Sequence, residues 1–312
     1  KVLYDDGIPA KNMLEIFSIL ESEDPTLHVE WEESLGQLSI HILGKIQLEI
    51  LAAEVEKRFG IKVSFGIPEV VYKETIEEPV CGYGHFEPLR HYAEVAIRLE
   101  PGEPGSGITF RSECHVDRLA VNYQNLIRTH VMEKKHKGVL TGAELTDVEV
   151  VLTDGRSHVK HTEGGDFRES LYRAVRQGLM KARSVLLEPY YDFTIAAPEE
   201  YTGRILTDIG KYHGEFEPPE AKNGRVEISG QGPVSEFMNY GEELAGLTKG
   251  RASVSFRFSG YRPCHNQEEV VLRTGYNPDS DTENPSYSVF CSKGTSFVVN
   301  WDQAEEYMHC LK

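Results

Sequence analysis

The 312 residues hold 39% hydrophobic and 27% charged side chains, the balance of an ordinary globular chain with room for two or three domains. No apolar run reaches the roughly 18 residues of a membrane-spanning helix, which excludes a spanning segment and gives a cytoplasmic expectation. A net charge of -17, from 33 Lys+Arg against 50 Asp+Glu, excludes loose adhesion to DNA or RNA through a broad basic field, though not docking on RNA through small shaped contacts.

The chain opens on KVLY with no initiator Met and no targeting segment, so it is expected to be a piece of something longer. KVLY reads as a first strand. Met13, Ile16, Phe17 and Leu20 follow at helical spacing until the breaker EDP at residues 23–25. Two alternating runs, one with Leu27, Val29 and Trp31 and one with Leu38, Ile40 and Ile42, flank a polar turn containing Gly36 and read as a hairpin. Leu48, Leu51, Ala52, Val55 and Phe59 make a second helical stripe stopped by Gly60, and IKVSF is another strand. The order β-α-β-β-α-β is that of a ferredoxin-like split βαβ unit over residues 1–68.

From 69 to 187 strand-like stretches around residues 91–99 and 148–152 alternate with two one-face helical stripes. The first carries Val116, Leu119, Ala120, Tyr123, Ile127 and Val131; the second carries Phe167, Leu171, Ala174, Val175, Gly178, Ala182 and Val185. Residues 188–263 return to the first rhythm: YDFTIA, a helix with Pro198 in its first turn, RVEISG, a helical SEFMNYGEELAGL and ASVSFRFSG. The remainder, 264–312, is polar and turn-rich and ends in a helix at about 300–311, with Asn300 and Gln303 as a capping box and Trp301, Ala304, Met308 and Leu311 as its apolar face. The fold class is therefore α+β, two split βαβ domains flanking a different α/β domain. Five cysteines without a CxxC pair suit a reducing compartment rather than a disulfide framework.

No G-x-x-x-x-G-K-[ST] and no G-x-G-x-x-G opening a helix is present, so this chain is expected to bind no nucleotide and to hydrolyse none by itself. The stretch TDGRSHVKHTEGGDF, residues 153–167, gathers the chemistry. His158 and His161, with Glu163 and Asp166, are metal-ligand types, but an i,i+3 pair on an irregular loop does not converge, and no metal is expected. Gly164 and Gly165 lead into a helix N-terminus suited to an anion, where Asp166 as N-cap would occupy the amides. Ser157 beside His158 lacks a nucleophile elbow, which leaves hydrolysis without support. Arg156, Lys160, Arg168 and the two histidines supply phosphate and base donors, and KKHK at 134–137 adds a basic cluster. On residues alone the loop stays a solvated connector or an RNA-directed finger.

EDPTLHVEW, LSIHILGKIQLEILAAEVEKRFGIKVSFGIPEVVYKETI, GVLTGAELTDVEVVLTDGRSHVKHTEGGDF and LAGLTKGRASVSFRFSGY resemble, in order, the third, fourth and fifth domains of elongation factor G. DPTLHVEW, LGKIQLEI and the C-terminal helix make the likeness closer to the ribosomal protection proteins of tetracycline resistance. The resemblance implies a ribosomal protein S5 domain 2-like fold for 69–187, and an upstream GTPase domain holding GTP and Mg²⁺. It further implies a monomeric factor whose partners are the ribosome and its 16S RNA near the tetracycline site, with no membrane and no DNA. In that family the fourth domain's tips enter the decoding region and release the drug. Carried over, Arg156, Ser157, His158, Val159, Lys160, His161, Thr162 and Glu163 form the foremost tip, and Gly105, Ser106, Gly107, Lys137, Gly138 and Thr141 the flanking tips. Trp301, Tyr307 and Met308 lie on the C-terminal helix, which would brace the fourth domain or touch RNA. Resistance proteins carry Tyr-Ser-Pro-Val-Ser-Thr at the tip; here Lys160 stands in place of the proline, a long cation for a rigid wedge. The alternative is a related ribosomal GTPase acting in translocation or rescue without drug eviction. A metal-dependent hydrolase using His158 and His161 is the reading from another class.

Overall fold

The computed structural model describes residues 1–32, 36–42 and 44–312. The first segment runs β1 (Val2–Tyr4), α1 (Ala10–Glu23), β2 (Glu30–Glu32), β3 (Gln37–Ser39), α2 (Ile46–Phe59) and β4 (Val63–Phe65), the split βαβ order. β1 pairs antiparallel with β4 and β2 with β3; the turn expected between these last two lies at 33–35 outside the described residues. Helix α1 buries the four residues of its stripe, Met13, Ile16, Phe17 and Leu20, against Leu51, Val55 and Leu38.

Next come β5 (Lys73–Ile76), β6 (Val80–Phe86), β7 (Ala93–Pro101), β8 (Ile108–Ser112), α3 (Val121–Glu133), β9 (Glu144–Leu145), β10 (Val148–Ser157), α4 (Gly164–Lys181) and β11 (Ser184–Pro198). Both helical stripes are shorter than the sequence suggests. α3 starts only at Val121, and Val116 is exposed in the preceding loop. α4 stops at Lys181 because residues 184–187 are drawn into an antiparallel ladder with β5, where Val185 faces Thr75. Phe167, Leu171, Ala174, Val175 and Leu179 of α4 lie in one core with Val95, Ile97, Leu99, Val150 and Leu152.

The third segment holds α5 (Thr202–Lys211), β12 (Glu215–Phe216), β13 (Glu220–Lys222), β14 (Arg225–Pro233), α6 (Val234–Phe237), α7 (Tyr240–Thr248) and β15 (Ser253–Pro263). Pro198 ends β11 opposite Arg225 instead of opening a helix, and a 3₁₀ turn at Glu199–Tyr201 precedes α5. Last come α8 (Gln267–Thr274), β16 (Ser288–Ser292), β17 (Thr295–Val299) and α9 (Ala304–Tyr307).

Two compact units result, Lys1–Val70 with Pro189–Ser259, and Val71–Glu188 with Gly260–Lys312. Residues 264–312 thus belong with the 71–188 segment: β17 and β16 extend its sheet to the order β17-β16-β6-β7-β10-β8. The rest of this tail covers the outer face of α4. Arg176 donates to the carbonyls of Lys137, Gly138 and Pro278 and to the Tyr276 hydroxyl, and Gln177 donates to Trp301 O. Arg173, Arg176 and Gln177 are consequently buried on a helix whose opposite face is already in the core.

The helix expected at 300–311 is a single turn. Asn300 makes no side-chain cap; its carbonyl accepts from Gln303 N. The amides of His309 and Cys310, which a longer helix would send to Glu305 and Glu306, go instead to the Glu94 carboxylate. A buried charge outcompetes two helical hydrogen bonds. Met308 and Ala304 are buried as expected, Trp301 is half-buried, and Tyr307 and Leu311 are exposed.

Candidate nucleic-acid interface

Strand register fixes which loops can act together. β10 pairs with β7 so that Ser157 faces Ala93 at one end, while Val148 faces Pro101 and Ile108 at the other. The 158–163 loop therefore shares its end of the sheet with the β6–β7 turn, residues 87–92. Gly105, Ser106 and Gly107 lie beside Val148, whose amide bonds Gly107 O, at the opposite end. Ten strand residues separate the two ends, roughly 30 Å at about 3.3 Å per residue. The flanking tips expected at 105–107 and 137–141 are thus not neighbours of the foremost tip.

Lys137, Gly138 and Thr141 have a different task. Glu74, 1% exposed, accepts from Leu140 N (2.9 Å), Thr141 N (2.8 Å), Thr141 Oγ1 (2.9 Å) and Ala143 N (3.3 Å). Gly138 is buried in this cradle and its carbonyl takes Arg176, so among the three only Lys137 is exposed. The loop folds around a carboxylate because three amides and a hydroxyl would otherwise be buried without partners.

The 158–163 loop is fastened from inside. His158 O accepts from His161 N and Thr162 N, Thr162 Oγ1 accepts from His158 N (2.6 Å) and donates to Tyr92 O (2.6 Å), and Lys160 N donates to His158 Nδ1 (3.2 Å). The imidazoles of His158 and His161 stack with centroids 4.6 Å apart, ring on ring, instead of converging their nitrogens. Val159 stands fully exposed at the apex, with Lys160 exposed beside it. Ser157 and Glu163 are exposed too, but the Arg156 guanidinium is turned back and donates to His309 O (2.8 Å).

Asp166 is not the N-cap. Glu163 holds that place, and Asp166 at N3 accepts from Glu163 N (2.9 Å), His91 Nδ1 (2.8 Å) and Tyr92 N (3.3 Å). Its carboxylate therefore ties the helix start to the β6–β7 turn. That turn presents exposed Leu89 and exposed Arg90, whose φ of 69° is left-handed. The sequence reading missed it, although EPLRHY between two strands carries a cation on a turn, the one local signal available.

Under the loop lies a buried cluster. The His85 ring, 0% exposed, donates Nδ1 to Glu94 Oε2 (2.6 Å) and Nε2 to Glu87 Oε2 (3.0 Å). Carboxylates only accept, so His85 is an imidazolium. Burial opposes its charge, but the bonds to Glu87 and Glu94 outweigh burial and raise its pKa; burial likewise opposes Glu94 ionising, and His85 with the amide of His309 overcomes this and holds the carboxyl well below its usual range. Phe290 stacks on His85 at 4.1 Å, and Tyr92 and His309 meet it edge-on.

Among the described residues, two groups bring three potential metal donors within 4.8 Å, His85 with Glu94 and His309, and Glu188 with Cys264 and His265. In each the carboxylate is committed to N–H donors: Glu94 to His85, His309 and Cys310, and Glu188 to the amide (2.9 Å) and ring (2.7 Å) of His265.

Comparison with known families resolves the domain identities. Residues 9–67 match Elongation Factor G, domain III, residues 68–183 match Elongation factor G, domain IV, and residues 185–270 match Elongation factor G C-terminus. The chain carries elongation factor G domains III, IV and C-terminus, in that order. A crystal structure of a Thermus thermophilus protein is similar at 26% identity and a TM-score of 0.68, over 88% of this chain and 42% of that one. The chain thus spans well under half the length of that relative. The fastened loop, the β6–β7 turn and the Glu74 cradle all fall inside elongation factor G domain IV, whereas residues 271–312, with β16, β17 and His309, lie beyond the three elongation factor G matches.

Proposed function

We propose that this chain is the ribosome-binding portion of an elongation factor G-type translational GTPase, and that its domain IV meets ribosomal RNA in the decoding region through residues 158–163 and 87–92. What supports this is an outward loop of fixed shape in domain IV that sets Lys160, Arg90 and a stacked imidazole pair on one end of a sheet. Such a point supplies shaped contacts to phosphate and unpaired bases without a basic field, which a net charge of -17 requires. GTP and Mg²⁺ belong to an upstream domain of the parent, and the present chain by itself turns over no GTP, acts as a monomer and serves in the cytoplasm.

The finer reading is tetracycline protection, supported by the likeness of DPTLHVEW and LGKIQLEI to the resistance branch. Val159 and Lys160 then occupy the apex that proline holds there. A second reading, translocation or rescue without drug eviction, is favoured by that same Lys160, which cannot act as a rigid wedge. Translation inhibited by tetracycline and supplied with the GTP-loaded parent separates the two, since restored synthesis supports protection and no restoration supports the second. His158→Ala with Lys160→Ala should lower factor-dependent synthesis about tenfold while ribosome-stimulated GTP hydrolysis holds. Equal loss of both would overturn the contact role.

A further inference from the structure

Residues 308–312 belong to none of the three matched domains, yet they are bonded directly beneath the tip loop. Glu94 takes the amides of His309 (3.0 Å) and Cys310 (2.5 Å). From the other side, Arg118 donates to Cys310 O (3.2 Å) and Arg156 to His309 O (2.8 Å). The His309 ring lies parallel to Tyr92, and its Nδ1 is 3.1 Å from the Tyr92 hydroxyl. Tyr92 in turn holds the loop, its carbonyl accepting from Thr162 Oγ1 and its ring packing 6.2 Å from His158. An unbroken series of contacts therefore runs from His85 and Glu94 through His309 and Tyr92 to His158 and His161.

We infer that residues 308–312 are a positioning strap for the domain IV tip, locked in place by the buried ion pair of His85 with Glu94 and Glu87. Glu94 and Arg156 are positioning residues in this arrangement, and neither contacts RNA. Without the strap, Tyr92 loses the parallel His309 ring and its hydroxyl contact, Arg156 is released, and the 158–163 loop keeps only its own hydrogen bonds and that of Thr162 to Tyr92 O. The lock is charge-dependent. Once His85 loses its proton, Glu87 and Glu94 stand unneutralised on either side of it. The groups facing His85 are Glu87, Glu94 and Tyr92 from the sheet and its turn, His309 from the strap, and the uncharged Ser288 and Phe290 from β16, while Cys310 of the strap meets Glu94.

The strap takes its consequence from the proposed RNA contact, but its test reads the loop without a ribosome, so the two can fail separately. Trypsin cuts after Lys160, inside the loop, and after Lys222, in β13 of the other compact unit; the ratio of the two cleavage rates reports tip opening. In the unaltered chain the ratio should be low at the lowest pH assayed and climb as rising pH discharges His85. Deletion of residues 308–312 should raise the ratio about tenfold at that lowest pH and flatten its rise. Glu94→Gln should do the same. Any slope the deletion variant retains arises without the strap and is subtracted. The deletion leaves β6 and β7 intact and decides the matter should Glu94→Gln fail to fold. An unchanged ratio in the deletion variant, or a wild-type ratio whose pH profile matches that of the deletion, overturns the strap.

Discussion

Gly84→Ala is the sharpest test of how domain IV packs. A Cβ built on Gly84 lies 1.9 Å from Ser170 O and 2.6 Å from Ala174 N, backbone atoms of α4 that no rotamer change can move. Bringing Ser170 O out to the 3.4 Å of ordinary contact needs the helix to lift by about 1.5 Å. A gap of that size along Phe167, Leu171, Ala174 and Val175 forfeits much of their dispersion and reopens buried space, at a cost of about 3–5 kcal/mol. That is a large share of the roughly 5–15 kcal/mol that holds a domain folded. Urea unfolding followed by circular dichroism gives the number directly. Gly165→Ala is the control: it lies in the same helix with nothing within 4 Å of its Cβ position, so it should be neutral or stabilising by about 0.5 kcal/mol. A Gly84→Ala loss below about 1 kcal/mol would refute the close approach of helix and strand.

Other outcomes follow from single contacts. Burial pushes the pKa of His136 down to about 4 while its Nε2 donates to Val131 O, so the folded chain resists the proton that the unfolded chain accepts near 6.5. Stability should therefore be whole above that value and fall by about 3 kcal/mol as pH drops toward 4, and His136→Phe should flatten the urea midpoints over this window. His85 has the opposite sign: its raised pKa stabilises the fold below the ordinary histidine value of 6.5, a contribution lost as pH rises through the folded value, and His85→Phe should remove that alkaline decline. Glu74→Gln sets an amide NH₂ against N–H donors in a closed cradle and should cost about 2–4 kcal/mol by the same measurement. Arg176→Met frees Tyr276 and Pro278, so hydrogen exchange should quicken in 275–287 and not in β6; equal rates there would refute the clasp.

Elements read from local periodicity survive in the structure where one side of an element meets one core. The α1 stripe of Met13, Ile16, Phe17 and Leu20 is such a case, as is the alternation in β11 of buried Tyr191, Phe193, Ile195 and Ala197. Elements whose fate hangs on a distant partner were not legible. Nothing near His309 announces that its amide belongs to Glu94, more than two hundred positions earlier, and so a one-turn helix followed by a bend and a turn reads as three turns of helix. Arg173, Arg176 and Gln177 lie off the apolar stripe of α4, and nothing local in the sequence shows that the tail buries them. The candidate site was legible as a loop, because Gly and His clustering between a strand and a helix is local information. Its neighbours were not: only the β7–β10 register shows that residues 87–92 share its end and that residues 105–107 and 137–141 do not. Asp166 illustrates a smaller shift, where displacement by three positions changes a cap into a capping-box partner.

The chain's three passages between units also bear on the order in which it can fold as it is made. β6, β7 and β10 leave the ribosome first, but β16 and β17, which complete their sheet, emerge only after residues 189–259. Until then the edge of β6 is open and the outer side of α4, with Arg173, Arg176 and Gln177, is uncovered. An unpaired strand edge is an invitation to wrong pairing. Newly made chains should therefore pass through an interval in which residues 189–259 can already be folded and domain IV cannot finish, and chains that stop short of residue 288 should aggregate through that edge.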